Sequence, residues 1–406
     1  MKKSTAHISL IVVLLTLVCL PRVSIDLYLP SLPTMLAELD TSPETLQLTL
    51  SLYMVGYAIS MLICGPFSDR YGRKPVLVAG ISVYIIATLV CVFSTSVWAV
   101  IAARVFQALG GASGTVIGRV MVRDQFDKTE QVRVLTYLST GMALSPVIAP
   151  IVGGVIETYI GWRGNFVAFG IYASVALAMV FFLLRESHTK LNYDAINAGN
   201  ILSSYKMLLG ERYFMGYSLT ISFAYCTYFA FISASPYLFQ NTMGLSPIAY
   251  GVIFAISVTG YIVGSTLARK LSKKHDMDLL LNFSVLLNLI AAAALAACSM
   301  LAPKALLGIM VPMIVIMVTV GIIIPVCQVS VLQPYSKILA TASGFFFFIQ
   351  MIVAAVCGVI VGLLSHASPA PMAFVILASS VILGICFHTL IWRPKKQEFT
   401  LGDMKS

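Results

Sequence analysis

The amino-acid sequence predicts an all-α membrane protein, with twelve transmembrane helices in two pseudo-symmetric six-helix bundles. Three observations predict it. Of 406 residues, 59% are hydrophobic and 10% are charged, against about 25% charged in a soluble domain. The apolar residues come in blocks of roughly 20, the length a helix needs to cross ~30 Å of hydrocarbon at ~1.5 Å per residue. The longest polar stretch between blocks, ESHTKLNYDAINAGNILSSYKMLLGER at 186–212, divides them six and six.

Charged or Pro/Gly-rich breaks bound the blocks. The first six spans are predicted at 8–36, 46–67, 75–96, 97–121, 134–158 and 165–185. The second six follow at 213–239, 248–268, 279–301, 304–332, 340–364 and 370–392. Span 1 follows Lys2 and Lys3 as the apolar core of a signal peptide would, but no small-residue cleavage site comes after it, so it is read as retained. The expected organisation is an N-terminal bundle at 1–185, a cytoplasmic central loop at 186–212, a C-terminal bundle at 213–392 and a cytoplasmic tail at 393–406.

The basic residues orient this set. With both termini cytoplasmic, 22 of the 26 lysines and arginines fall on the inner side. Arg163 and Lys304 fall outside, and Arg22 and Arg104 lie within spans. The positive-inside rule favours this orientation over its inverse. The net charge of +10 therefore reports topology. It is split among short loops and does not form the single basic face of a nucleic-acid partner. All eight cysteines lie in apolar blocks, with no CxxC or Cys/His ligand spacing, and read as small core residues rather than metal ligands. No GxxxxGK[ST] phosphate loop is present, and no nucleophile–base set falls within the spans, so neither ATP hydrolysis nor another enzyme activity is expected.

The most specific stretch is GPFSDRYGRKPVL at 65–77, between spans 2 and 3. Gly65 allows close helix approach, Asp69 ends span 2, and Arg70, Arg73 and Lys74 follow. Gly72 permits a tight turn and Pro75 starts the next helix. Such a loop can dock charge against neighbouring helix ends and release it when the bundle moves. GSTLARKLSKK, from Gly264, echoes it at the same place in the second half, with Ala268 where Asp69 stands.

This loop resembles the signature loop of the major facilitator superfamily. RVFQALGGAS, from Arg104 in span 4, is similar to the family's Arg-x-x-Gln-Gly motif, with Ala108 in place of glycine. SPVIAPIVGG at 145–154 is similar to the Gly-Pro-rich motif of its drug/proton antiporters, with Ala149 where glycine is usual. GWRGNF at 161–166 resembles the turn between spans 5 and 6, and DLYLPSLP at 26–33 the start of the bicyclomycin/chloramphenicol-resistance (Bcr/CflA) branch. The resemblance implies proton-driven export of a small organic compound across a bacterial inner membrane. It implies no cofactor beyond the proton gradient, and the expected partners are protons, a small-molecule substrate and the lipid bilayer. A monomer is the default. The alternatives are a proton-coupled importer and a non-transporting sensor with a transporter fold.

Of sixteen acidic residues, only Asp26 is placed well inside a span, in PRVSIDLYLP. A mid-helix charge costs about 2.5–3.5 kcal/mol on insertion scales and normally faces the bundle interior. Asp26 and Arg104 are expected at comparable depth and are the candidate proton-coupling residues. Arg22 is the counter-charge of Asp26 at i, i+4, a contact for an anionic substrate, or both. If Asp26 only neutralises Arg22, its role is structural. Gln107 can orient Arg104 or simply pack. Pro146, Pro150, Gly153 and Gly154 in span 5 read as a hinge or seal, or as a generic small-residue seam. In the second half, Tyr225, Tyr228, Phe229 and Phe231 offer aromatic walls and Gln328 and Gln350 polar contacts for substrate; packing is the plainer reading of the aromatics and of the run Phe345–Phe348.

Overall fold

The computed structural model describes residues 2–187, 191, 196, 198–274, 276–364 and 368–392. The tail at 393–406 and part of the 186–212 segment lie outside the described residues. The chain forms α1 Lys2–Asp26, α2 Leu32–Glu38, α3 Pro43–Tyr71, α4 Arg73–Phe93, α5 Val97–Gln125, α6 Lys128–Ile160 and α7 Trp162–Leu183. It continues with α8 Ala198–Gly210, α9 Arg212–Pro236, α10 Pro247–Leu271, α11 Met277–Leu301, α12 Leu306–Leu332, α13 Leu339–Leu363 and α14 Ala370–Phe387. Among the described residues there is no strand. Twelve segments are long and apolar enough to cross a membrane, from Ile8–Glu38 to Ala370–Trp392. They coincide with the twelve predicted blocks to within a few residues.

Two details depart from the sequence reading. Span 1 is not one continuous helix: α1 ends at Asp26, and a 3-10 turn at Leu29–Ser31 leads into α2. The cause is Pro30. It has no N–H to give the carbonyl of residue 26, and its ring crowds that carbonyl. Pro33 sits safely in the first turn of α2, where its missing donor is no loss. The second departure is α8, a helix inside the segment read as a loop. Its apolar residues recur at helical spacing in NILSSYKMLLG, and Leu208 is buried.

The chain divides into two compact units. The first comprises Met1–Ala198 with Phe239–Ala255, and the second Gly199–Leu238 with Ile256–Ser406. In the first, α5 is the central helix, packed on α1, α3 and α4, while α6 and α7 close over α1. The close packing of α5 follows from its composition: Ala108, Gly110, Gly111, Ala112, Gly114 and Gly118 are all buried. In the second unit, α9 packs on α12, α13 and α14. A buried polar chain stitches α11, α12 and α14: Ser380 Oγ donates to Asn288 Oδ1 at 2.8 Å, and Asn288 Nδ2 donates to Thr319 Oγ1 at 2.7 Å. Each group satisfies another where no water reaches.

Candidate functional site

Asp26 is the last residue of α1, at the point where span 1 breaks. Its side chain is 1% exposed, and neither carboxylate oxygen has a hydrogen-bond partner among the described residues. The charge that acts on it is Arg22, one turn earlier on the same helix. A carboxyl so deep in a span that accepts no hydrogen bond is exceptional, since buried polar atoms are nearly always paired.

Arg104 is fully buried but does not pair with Asp26. Its Nη2 donates to the carbonyl of Ser24 at 2.9 Å and its Nη1 to Gln107 Oε1. The guanidinium lies between two aromatic faces, 4.4 Å from the Tyr28 ring centre and 4.2 Å from that of Tyr53. Because α1 stops at Asp26, its last carbonyls lack helical partners and carry the negative end of the helix dipole. Arg104 satisfies one of them with a cation. Gln107 passes the linkage on, donating to Thr88 Oγ1 at 2.7 Å. Tyr53 donates to the Pro21 carbonyl at 3.2 Å, and Ser24 Oγ meets Tyr84 Oη. The end of α1 is thus gripped from α3, α4 and α5 while the Asp26 carboxyl itself is left untethered.

Glu157, three residues before the end of α6, is nevertheless only 7% exposed. It accepts a hydrogen bond from Ser31 Oγ, in the 3-10 turn that follows the break. Asn165 Nδ2 donates to the same Ser31 oxygen at 2.7 Å and to the Gly153 carbonyl at 3.3 Å. Neighbouring Trp162 and Arg163 both donate to Glu38, at 2.7 and 2.8 Å. The 3-10 turn of span 1 thus meets Glu157 through Ser31.

The 65–77 loop is built around Arg73, which is buried. Its Nη1 donates to Asp69 Oδ1 and to Ser68 Oγ, and its Nε to Asp124 Oδ2 at 3.1 Å, so α3, α4 and α5 meet on one side chain. A reciprocal clasp adds α7. Glu186 accepts from the backbone N–H groups of Arg73 and Lys74, both at 3.0 Å, capping the start of α4. Lys74 Nζ donates to the carbonyls of Phe181 and Leu184 at 2.8 and 2.9 Å, capping the end of α7. Each charge sits at the helix end whose dipole it complements. Gly72 is required here twice over: its φ is +97°, and a Cβ would stand 2.7 Å from Glu186 Oε2. Arg70 lies over the ring of Tyr71. Nothing within 4 Å of Gly65 demands a glycine.

In α6, Pro146 and Pro150 interrupt the helical hydrogen bonding and Gly153–Gly154 follows. Gly153 rests on the carbonyl of Leu27, the residue after Asp26, so closely that a Cβ would overlap it. Gly154 meets the Pro247 carbonyl at the start of α10, and Gly251 of α10 meets the Pro150 carbonyl in return. Pro150, Gly153 and Gly154 therefore stand at close backbone contacts with span 1 and α10, the one at Gly153 lying beside Asp26.

In the second unit, Tyr225 and Tyr228 of α9 are buried and meet edge-on at 5.8 Å between ring centres, with Phe229 stacked on Tyr225 at 6.1 Å and Phe231 also buried. Gln350 of α13 is buried, and its Oε1 accepts no hydrogen bond among the described residues. Gln328 of α12 is half-buried. Phe345 and Phe346 are buried, and Phe345 stacks on Tyr205 of α8 at 4.6 Å.

The family model described as "Major Facilitator Superfamily" matches residues 14–356. The chain is 28% identical over 380 residues to a "Bicyclomycin resistance protein homolog" of Haemophilus influenzae, covering 93% of this chain and 94% of that one. It is 25% identical over 395 residues to "Multidrug resistance protein D" of Escherichia coli, covering 97% and 99%. It is likewise 25% identical over 369 residues to a "Chloramphenicol resistance protein" of Pseudomonas aeruginosa, covering 90% and 87%. Among solved structures, a D-xylose–proton symporter superposes with a TM-score of 0.76 at 14% identity, covering 95% of this chain and 98% of that one. That likeness speaks for the fold alone.

Proposed function

Because this chain belongs to the major facilitator superfamily, a family of multi-pass carriers of small molecules, we propose that it is a proton-driven antiporter that exports a small organic compound from the cytoplasm. The relatives named for bicyclomycin, chloramphenicol and multidrug resistance support export of a drug or of a metabolite of similar size. The single observation that carries proton coupling is Asp26, buried in a span with neither carboxylate oxygen hydrogen-bonded among the described residues. An ionisable group so placed marks an ion or proton path by default.

In the proposed cycle, cytoplasmic substrate enters and helps displace the proton from Asp26. The carrier turns to face the other side, substrate leaves, and Asp26 takes up a proton from there. A neutral Asp26 lowers the cost of returning. Each inward proton brings electrical work of ~2.3 kcal/mol per 100 mV. Arg104 is the positioning residue: it fixes the end of α1 through Ser24 and so fixes where the carboxyl stands. Asp69, Arg70, Gly72, Arg73 and Lys74 form the conformational loop with Gly65, and Pro146, Pro150, Gly153 and Gly154 the hinge. Arg22 favours neutral or acidic compounds over lipophilic cations. Tyr225, Tyr228, Gln328 and Gln350 offer substrate surface. The proton gradient is the only energy source proposed, and both termini and the basic loops face the cytoplasm.

The test is substrate-stimulated proton release from purified protein in detergent, screened over chloramphenicol, ethidium and a citrate-like carboxylate. Release by wild type and none by Asp26→Asn is expected. Release of equal size by Asp26→Asn overturns the assignment of Asp26.

A further inference from the structure

We propose that Glu157 is a second proton-carrying carboxyl, the station through which protons reach Asp26 from the side of the membrane that carries the Glu38–Arg163 pair. This inference rests on the proton-coupled reading of Asp26 and adds a route to it.

Three observations carry it. First, Glu157 is buried on a membrane span, and among the described residues it pairs with the hydroxyl of Ser31 and with no cation. The nearby arginine, Arg163, gives its guanidinium to Glu38 at 2.8 Å and to the Ser94 carbonyl at 3.1 Å. A carboxyl held by a hydroxyl keeps a hydrogen bond whether or not it carries a proton, because the hydroxyl can serve as donor or acceptor. A carboxylate held by arginine cannot shed its charge so freely. Second, Glu157 retains 7% exposure where Asp26 retains 1%, so it is the more accessible of the two. Third, the two carboxyls flank one structural joint. Gly153 of α6 lies on the Leu27 carbonyl, next to Asp26. Glu157 is one turn further along α6, about 6 Å at ~1.5 Å per residue. Its partner Ser31 closes the 3-10 turn that begins three residues after Asp26.

The Asn165 amide fixes the resting state. It donates to Ser31 Oγ, so the single hydroxyl hydrogen of Ser31 is aimed at Glu157. A proton arriving from water forms an O–H bond on a Glu157 oxygen. It then leaves that oxygen, through intervening water, as an O–H bond forms on Asp26, and Glu157 returns to the carboxylate that Ser31 holds. No net proton stays behind. Among the described side chains, the other charged groups on α1, α5 and α7, which pack against α6, are Arg22 and Asp26 of α1, Arg104, Arg119, Arg123 and Asp124 of α5, and Arg163 of α7; Glu38 lies on α2.

The experiment is an external pH jump on full-length protein in liposomes, followed by time-resolved infrared spectroscopy of carboxyl C=O bands. The Asp26 band is the one that Asp26→Asn removes. Glu157→Gln keeps an acceptor for Ser31 and cannot carry a proton. It is expected to slow the appearance of the Asp26 band by on the order of 100-fold, the worth of a positioned proton carrier, with its final amplitude kept. Glu157→Asp is expected to recover much of the rate. An Asp26 band that rises at the wild-type rate in Glu157→Gln overturns the relay and leaves the role of Asp26 standing. Loss of no band in Asp26→Asn overturns the proton-coupled reading itself.

Discussion

Arg104 donates to the carbonyl of Ser24 at 2.9 Å, two residues before Asp26, while the Asp26 carboxyl has no hydrogen bond among the described residues. The arginine holds the helix end rather than the charge. A direct ion pair would anchor the carboxylate in its charged form; the grip on the neighbouring carbonyl instead fixes the end of α1.

Arg104→Lys therefore tests geometry at constant charge. A lysine cannot reproduce two forked donations and a flat cation between Tyr28 and Tyr53. Loss of the charged hydrogen bonds is expected to cost about 2 kcal/mol, seen as a lower Tm, and coupled transport in liposomes is expected to fall severalfold or more.

Asp26→Asn is expected to insert and fold normally and to lose uphill efflux, measured as substrate accumulation in inverted vesicles with an imposed proton gradient. The structural alternative, in which Asp26 only balances Arg22, makes the opposite forecast. There the double Arg22→Ala, Asp26→Ala change would restore the expression and Tm that each single change lowers.

Gly153→Val places a side chain where the Leu27 carbonyl already sits. Neither backbone can retreat without unpacking α6 from α1. Destabilisation of about 1–3 kcal/mol, the usual range for overpacking, is expected by thermal unfolding, together with loss of transport. Gly65→Ala serves as the control, for nothing within 4 Å obstructs a Cβ there, and its Tm is expected to match wild type.

Gly72→Ala combines a strained left-handed φ, worth about 1–2 kcal/mol, with a collision against Glu186. In a Glu186→Ala background the collision vanishes and the strain remains. The second substitution is accordingly expected to cost less there than in wild type, a coupling that a double-mutant cycle in Tm reads directly.

Much of this fold could be read in advance, since every span is a long apolar block and the basic loops are short. The loop from Gly65 to Lys74 also showed itself through its punctuation of glycine, aspartate and paired basic residues. What stayed hidden depended on partners distant in sequence. Pro30 is in plain view, but its effect on the carbonyl at residue 26 shows only in the fold, where span 1 divides. The burial of Glu157 depends on the turn holding Ser31, 126 residues earlier. Glu186 looked like the first residue of a solvated loop; its role lies in two backbone N–H groups that no side-chain pattern displays. Arg104 and Asp26 were matched by depth, but depth does not say which atom an arginine chooses.

The clasp at the turn before α4 has a consequence for biogenesis. Glu186 leaves the ribosome more than a hundred residues after the peptide groups it caps. The hairpin of the second and third spans therefore enters the translocon with an open helix end, and closes only when the sixth has been released into lipid. A chain stalled at Leu183 would possess the first six hydrophobic segments and still lack the carboxylate that caps the third.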